Sequence, residues 1–417
     1  MSPNSYLPDE ILLEIVSHIE RWNVRERQAS LARFCAVNRQ CYDVAIRPLY
    51  QSPYLSGRAY ELFVRTICPS VLAHIKPTSL SSLVQTLDLS TIVHQGTKST
   101  TARLLNRTKA SLTTFIAPQA SFAINCWASL SKCTHLRVLD LSLVSEQINF
   151  QSLNQTLRRL SDLRELCLPR CSSNYEEGSG TLNVRWPPRL ERLALSGSVS
   201  GKFLWDILRQ PEAFPPFFYS LGILHCPGLD HISIRQLTSS LAASLTTLEL
   251  RNLPAIKQGR FNAVLDWCPR LQNLTIALDY IDTRFGHMPP SFSAHTHWHL
   301  ARPLQHLTLL TSGKSGDPDR SFTADDLYTL IDERFLGRLR WLHIARSTEW
   351  EAENEGAEVA ALEHLLCAEL DRENWELRRW HYEGLAGVPE GMGYEQWIEE
   401  TGMGRRMRPH LKILTNR

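Results

Sequence analysis

From about residue 80 onward the chain repeats one arrangement of apolar and polar positions, apolar-x-x-apolar-x-apolar. It reads Val84-Leu87-Leu89, Leu112-Phe115-Ala117, Leu136-Leu139-Leu141, Leu163-Leu166-Leu168 and Leu190-Leu193-Leu195. It continues as Phe218-Leu221-Ile223, Leu245-Leu248-Leu250, Leu271-Leu274-Ile276, Leu304-Leu307-Leu309 and Leu339-Leu342-Ile344. First positions lie 24–28 residues apart as far as Leu271, and the next two steps lengthen to 33 and 35. The last two apolar positions of each copy alternate, as a strand with one buried face requires. Between copies lie stretches at helical spacing, such as Phe150-Leu153-Leu157-Leu160, Phe203-Leu204-Ile207-Leu208 and Phe261-Val264-Leu265-Trp267. A degenerate last copy is expected at Leu377-Trp380-Tyr382. Strand plus helix at this period predicts stacked coils, none of which buries its apolar face alone.

The first fifty residues follow a different period. Ile11, Ile15 and Ile19 recur at helical spacing, with Leu12 and Val16 widening the stripe. Pro8 suits the first turn, and Asp9 and Glu10 set negative charge against the positive end of the helix dipole. Glu20 to Ser30 is polar and reads as an exposed turn or a lengthened helix end. A second helix is expected from Leu31 to Tyr50, ending near Pro48. Gly57 to Ile75 is a further helical pattern, interrupted at Pro69. An array of coils needs covered ends. The hairpin with Gly57–Ile75 suits one end, and Trp375, Trp380 and Trp397 the other. A short helix with this much apolar surface needs a partner inside or outside the chain.

The segment LPDEILLEIVSHI, followed by LARFCAVNRQCYDVAIRPLYQSP, resembles an F-box of the kind common in fungal proteins. Leu7, Pro8, Ile11, Leu12 and Ile15 match its opening element, and Val37, Asn38, Arg39 and Tyr42 its later one. Cys41 departs from the pattern, standing where many such proteins carry a large aromatic. The coils are similar to leucine-rich repeats. Cys171, Cys226 and Asn252 occupy the Asn/Cys position of that repeat, while Val144, Ser198 and Ser312 do not, so irregular coils are expected. The fold class implied is α/β: an all-α F-box over 1–52, a helical linker or cap over 53–79, and repeats over 80–385. The repeats would form a curved solenoid, with a parallel sheet on the concave face and helices on the convex one. Residues 386–417 would form a C-terminal cap or tail.

In such proteins the F-box binds a Skp-type adaptor, and through it a cullin-RING ubiquitin ligase, while the repeats hold a target protein. The resemblance implies that Leu7, Pro8, Ile11, Leu12, Ile15, Val37, Asn38, Arg39 and Tyr42 contact the adaptor. A scaffold with the same fold, acting outside ubiquitin transfer, is the alternative reading.

Composition adds limits. A hydrophobic fraction of 43% with 21% charged residues is that of a globular protein. A formal net charge of +2 supplies no strong field for nucleic acid. No run approaches the ~18–20 apolar residues that span a bilayer, so neither nucleic acid nor membrane is an expected partner. Ten scattered cysteines without a CxxC pair read as reduced thiols of a cytoplasmic or nuclear protein. Arg405-Arg406-Met407-Arg408 resembles a short basic signal.

Candidate chemistry is sparse. There is no phosphate loop, dinucleotide fingerprint, His-Glu-x-x-His or Gly-x-Ser-x-Gly, so no catalysis and no cofactor are expected. His287, His295, His297 and His299 lie in a polar insertion without the cysteine or fixed fourth ligand of a structural zinc site, so no metal is expected. An enzyme reading would rest on these histidines or on Cys167. Strand alternation puts Asp88, Asp140, Glu165, Cys167 and Arg192 on the open face of the sheet, together with Glu249, Arg251, His306, Trp341, His343, Arg379 and His381. The last seven are the expected target-binding set, since Trp and Arg are common interface anchors.

Overall fold

The computed structural model describes residues 7–69, 78–92, 97–122, 124–146, 148–170, 172–173, 184–197, 199–210, 213–314, 316–350, 356–382 and 410–414. Two compact units emerge from it, 1–199 with 209–218, and 200–208 with 219–417.

All ten repeat copies are strands. In the first unit β1 (Thr86–Asp88), β2 (Thr114–Ile116), β3 (Val138–Asp140), β4 (Glu165–Cys167) and β5 (Arg192–Ser196) lie side by side in chain order. In the second, β6 (Ser220–Leu224), β7 (Thr247–Arg251), β8 (Asn273–Ala277), β9 (His306–Leu310) and β10 (Trp341–Ala345) are followed by β11 (His410–Leu414). Neighbours within each unit pair in parallel and in register, Leu248 with Leu274 and Leu307 with Leu342 for example. All three apolar positions of every copy are buried.

One backbone device recurs at each step from β1 to β5 and from β6 to β10. The carbonyl of the residue before the strand accepts two N–H groups from the next coil. Gln85 takes Thr113 and Thr114, and Thr113 takes Arg137 and Val138. Thr246 takes Gln272 and Asn273, and Gln305 takes Arg340 and Trp341. Helices complete the coils, among them α5 (Lys98–Thr108), α6 (Ile124–Leu130) and α7 (Phe150–Leu157) in the first unit. The second unit carries α8 (Gly201–Leu208), α9 (His231–Ser240), α10 (Val264–Trp267) and α11 (Ala324–Asp332). The chain is thus α/β, with parallel strands alternating with helices.

The last copy differs from expectation. Leu377-Trp380-Tyr382 belongs to a helix, α12 (Ala357–Tyr382), and the final strand is His410–Leu414, within the expected tail. The spacing i, i+3 fits a helix as well as a strand entry, and 357–382 holds neither Gly nor Pro to stop one. Arg379 and His381 therefore do not stand on the sheet, and their side chains lie outside the described residues, as do those of Trp375, Trp380 and Trp397.

The N-terminal module is three helices rather than two: α1 (Asp9–Glu20), α2 (Val24–Cys35) and α3 (Arg39–Gln51). Asn23 starts α2 by accepting the backbone N–H of Arg25 at 2.9 Å, which turns the polar stretch into a helix. Asn38 caps α3 in the same way, accepting from Cys41 at 2.8 Å. Pro48 sits in the last turn of α3 without ending it. The module has its own core, Val16, Ile19, Leu31 and Ala45, flanked by Phe34, Cys35, Val44 and Leu49. It joins the first coil through Gln51, whose carbonyl accepts the N–H of Gln85 at 3.0 Å. Tyr50 also stacks at 6.2 Å on Phe63 of α4 (Arg58–Ile67).

A buried polar latch holds the long connection in the second unit. Asn262 Nδ2 donates to Asp282 Oδ1 at 2.5 Å, and the Asp282 N–H donates to Asn262 Oδ1 at 2.9 Å. The Arg284 N–H donates to the same carboxylate at 2.9 Å. Gly259 passes close by with φ +75°, and a Cβ there would collide with the Asp282 carboxylate. Truncating Asp282 leaves buried donors unpaired. Asp282→Ala is expected to destabilise the chain by about 2–4 kcal/mol, read as a lower denaturant midpoint. A loss under ~0.5 kcal/mol, the range of ordinary surface changes, would show that the latch contributes little.

Candidate functional site

Two surfaces carry the residues singled out by the sequence. On the N-terminal module, α1 divides its apolar side chains between two environments. Leu12, Val16 and Ile19 are buried, with Leu12 only 2% exposed. Leu7, Ile11, Leu13 and Ile15 remain exposed, Ile11 at 49%. Val37, at the turn into α3, is 67% exposed. Gln40 ties the starts of α1 and α3 together, donating to the Leu7 carbonyl at 2.7 Å and to Asp9 Oδ1 at 2.6 Å. The starts of α1 and α3 are thereby adjacent, and Leu7, Ile11, Ile15 and Val37 are apolar side chains that the module's own core does not use.

Other members of the expected set have local work. The Pro8 carbonyl accepts the N–H groups of Ile11 and Leu12 at 3.1 and 3.3 Å, opening α1. Asn38 caps α3. Arg39 pairs with Asp43 at 3.1 Å and lies over the half-buried Tyr42 ring at 5.8 Å. Leu12 serves the core rather than the surface, and so does Cys41, which is buried. Trp22 and Val24 were missed by periodicity and are exposed at the α1–α2 turn. An indole inside the charged run Glu20–Arg27 was the available signal for them.

The second surface is the face of β7–β10 opposite the core. Glu249 and Arg251 lie on one strand and pair with each other. Asn273 Nδ2 donates to Thr247 Oγ1 at 3.0 Å on the neighbouring strand. His306 faces Trp341 in register, and their rings stack at 5.4 Å with an interplanar angle of 3°. His343 is the diagonal neighbour, opposite Thr308. Trp341 is 37% exposed. Glu249, Arg251, His306, Trp341 and His343 thus share one face of consecutive strands, while Arg379 and His381 do not join them.

The histidine insertion is built around Asp266, which takes Arg302 on one oxygen and His287 at 3.2 Å on the other. Arg302 also lies over the Phe335 ring at 5.4 Å. His297 and His299 approach each other ring to ring at 6.3 Å. No cluster of His, Cys, Asp and Glu fit to hold a metal ion occurs among the described residues. Burial pushes the thiols of Cys133, Cys226 and Cys268 up to about 12, which keeps them protonated and unreactive at neutral pH. No helix among the described residues is long and apolar enough to cross a membrane.

Burial pushes the His306 imidazole below its ordinary value of 6.5, and the neighbouring His343 adds to the effect. A histidine lowered on folding contributes stability that is complete above its unfolded value and is lost as pH falls below it. The His306 ring should therefore titrate below 6.5 by NMR, and His343→Asn should move its midpoint upward. A midpoint at or above 6.5, or one indifferent to His343, would contradict this environment.

No protein-family model matches the chain. It is 30% identical over 330 residues to F-box protein YDR306C of Saccharomyces cerevisiae, covering 79% of this chain and 65% of that one. It is 28% identical over 341 residues to protein pof5 of Schizosaccharomyces pombe, covering 80% of this chain and 90% of that one. The chain thus spans 65% of the length of the first relative, less than two thirds. Among solved structures, the crystal structure of the TLR13-ssRNA13 complex aligns with a TM-score of 0.36 and 19% identity, over 64% of this chain and 36% of that chain. The first of these relatives is named as an F-box protein, and residues 7–51 of this chain carry the F-box resemblance described above.

Proposed function

We propose that the protein is the substrate-recognition subunit of an SCF-type ubiquitin ligase. The observation behind this is the surplus apolar surface on a module whose core is already closed. Leu7, Ile11, Ile15 and Val37 are exposed although Val16, Ile19, Leu31 and Ala45 make the module's core without them. Exposed apolar side chains gathered on short helices suit helix-in-groove docking. The partner in this reading is a Skp-type adaptor, in keeping with the F-box name of the yeast relative.

The coils then hold the target. Glu249, Arg251, His306, Trp341 and His343 supply a mixed polar and aromatic face of the kind that anchors protein interfaces. The protein carries out no chemistry in this reading. One end docks on the ligase and the other keeps a target lysine near a charged conjugating enzyme, so the gain is one of effective concentration.

Ile11→Asp tests the docking end. Ile11 is exposed, so the variant should keep its helical circular dichroism while losing co-purification with the adaptor, since an interface anchor contributes about 2 kcal/mol or more. A folded variant that still binds would refute the assignment. At the other end, Trp341→Ala should weaken capture of the co-purifying target and leave adaptor binding intact. Loss of both, or of neither, would count against this division of labour. A target that fails to accumulate when the protein is deleted would favour a scaffold outside ubiquitin transfer.

A further inference from the structure

Away from the open sheet face, a groove of about 810 Å³ runs between α9 and the segment that contains α10. It is an open groove rather than an enclosed cavity, and its volume lies in the ~300–1,000 Å³ range of ligand sites. Its lining includes Arg235, Arg260, Ala263, Asp266, Trp267 and His287. We propose that this groove binds an acidic peptide segment, with Arg235 and Arg260 taking its carboxylates and Trp267 lying beneath it. The site is distinct from both surfaces described above and does not depend on adaptor docking.

Charge supports this choice of ligand. The one carboxylate in the lining, Asp266, is already engaged by Arg302 and His287. Arg302 is largely buried, so the Asp266 charge is compensated from within the fold. Arg235 and Arg260 are exposed, and neither has a carboxylate partner among the described residues. The groove therefore presents two guanidinium groups whose N–H donors match carboxylate oxygens.

The walls are also held in place. The Arg235 guanidinium lies 6.0 Å from the centre of the Trp267 ring, which orients it while leaving its donors at the surface. Trp267 is braced edge-on by Phe261 at 5.9 Å. Arg260 stands beside Phe261 and Asn262, both buried, and the Asn262–Asp282 latch fixes that loop. Arg260 itself is anchored by its N–H to the Lys257 carbonyl at 3.3 Å. The Arg235 donors, held this way, lose little freedom on binding, while Arg260 projects from a loop fixed at its backbone. Ala263, Ala242 and Pro269 give the intervening floor an apolar character suited to a peptide backbone. A chain whose net charge is only +2 has no broad basic field, so the attraction is local and favours a short acidic segment over nucleic acid.

The test uses the full chain and a fluorescein-labelled peptide, Gly-Ser-Glu-Asp-Gly-Asp-Glu-Ser-Gly, followed by anisotropy. The matching peptide with Gln and Asn in place of the acids is the control. The acidic peptide should bind and quench Trp267 fluorescence, and the control should bind at least about tenfold more weakly. Arg235→Gln and Arg260→Gln should each weaken binding about tenfold, and raising salt from ~50 to ~500 mM should weaken it further. Both arginines are exposed, so both variants should keep wild-type melting temperatures and adaptor co-purification. Ile11→Asp should bind the peptide normally, which separates this proposal from the docking assignment. Equal binding of the amide control, or unchanged affinity in both arginine variants, would overturn it. Displacement of the peptide by an equal concentration of inorganic phosphate would also overturn it, in favour of a simple anion site.

Discussion

A strand three to five residues long, apolar on one face, cannot keep that face dry by itself, and this constraint governs most of the chain. Each coil buries three side chains against its neighbours, and each buried set is worth several kcal/mol only when the next coil is present. The shared carbonyl, which takes two N–H groups from the following coil, keeps the strands in register where they are too short for a longer ladder to do so. Helices of different length can follow without disturbing this, because the register is set before the helix begins. The longer insertions around residues 280–300 and 311–323 are accommodated for the same reason.

The N-terminal module obeys a separate economy. Its core is small and is closed by residues drawn from all three helices, while Gln40 braces the start of α1 against α3. Once that core is complete, further apolar residues at Leu7, Ile11, Ile15 and Val37 add nothing to it. Their exposure gives the module the character of an interface, whereas most exposed apolar residues on proteins are scattered singly. The link from Gln51 to Gln85 ties the end of α3 to the first coil, while the start of α1 keeps its apolar side chains exposed.

In the second unit, charge is handled in two ways. Asp266 and Asp282 are compensated within the fold, one by Arg302 and His287, the other by Asn262 and the Arg284 N–H with Arg320 nearby. Glu249 and Arg251 settle each other on the sheet face. The histidines of the insertion, read from the sequence as a polar stretch without a structural zinc set, make a contact with Asp266 at His287 and ring contacts at His297 and His299. Arg235 and Arg260 are left as the cations of the groove that the fold itself does not consume.

The sequence by itself determined the strands. A two-residue alternation inside a fixed period leaves only one face to bury, and every one of the ten copies from Val84 to Ile344 is buried accordingly. It also determined that the opening segment is amphipathic and helical. Tertiary structure decided which side chains of that stripe are spent on the core, since Leu12 and Ile11 are adjacent and equally apolar but only packing against α3 separates their fates. It decided that the last strand is His410–Leu414 and not Leu377–Tyr382, because the spacing there serves a helix equally well. The groove between α9 and α10 was illegible in the sequence for a related reason. Arg235 and Trp267 are brought together only when two coils stack, and local periodicity records neither partner.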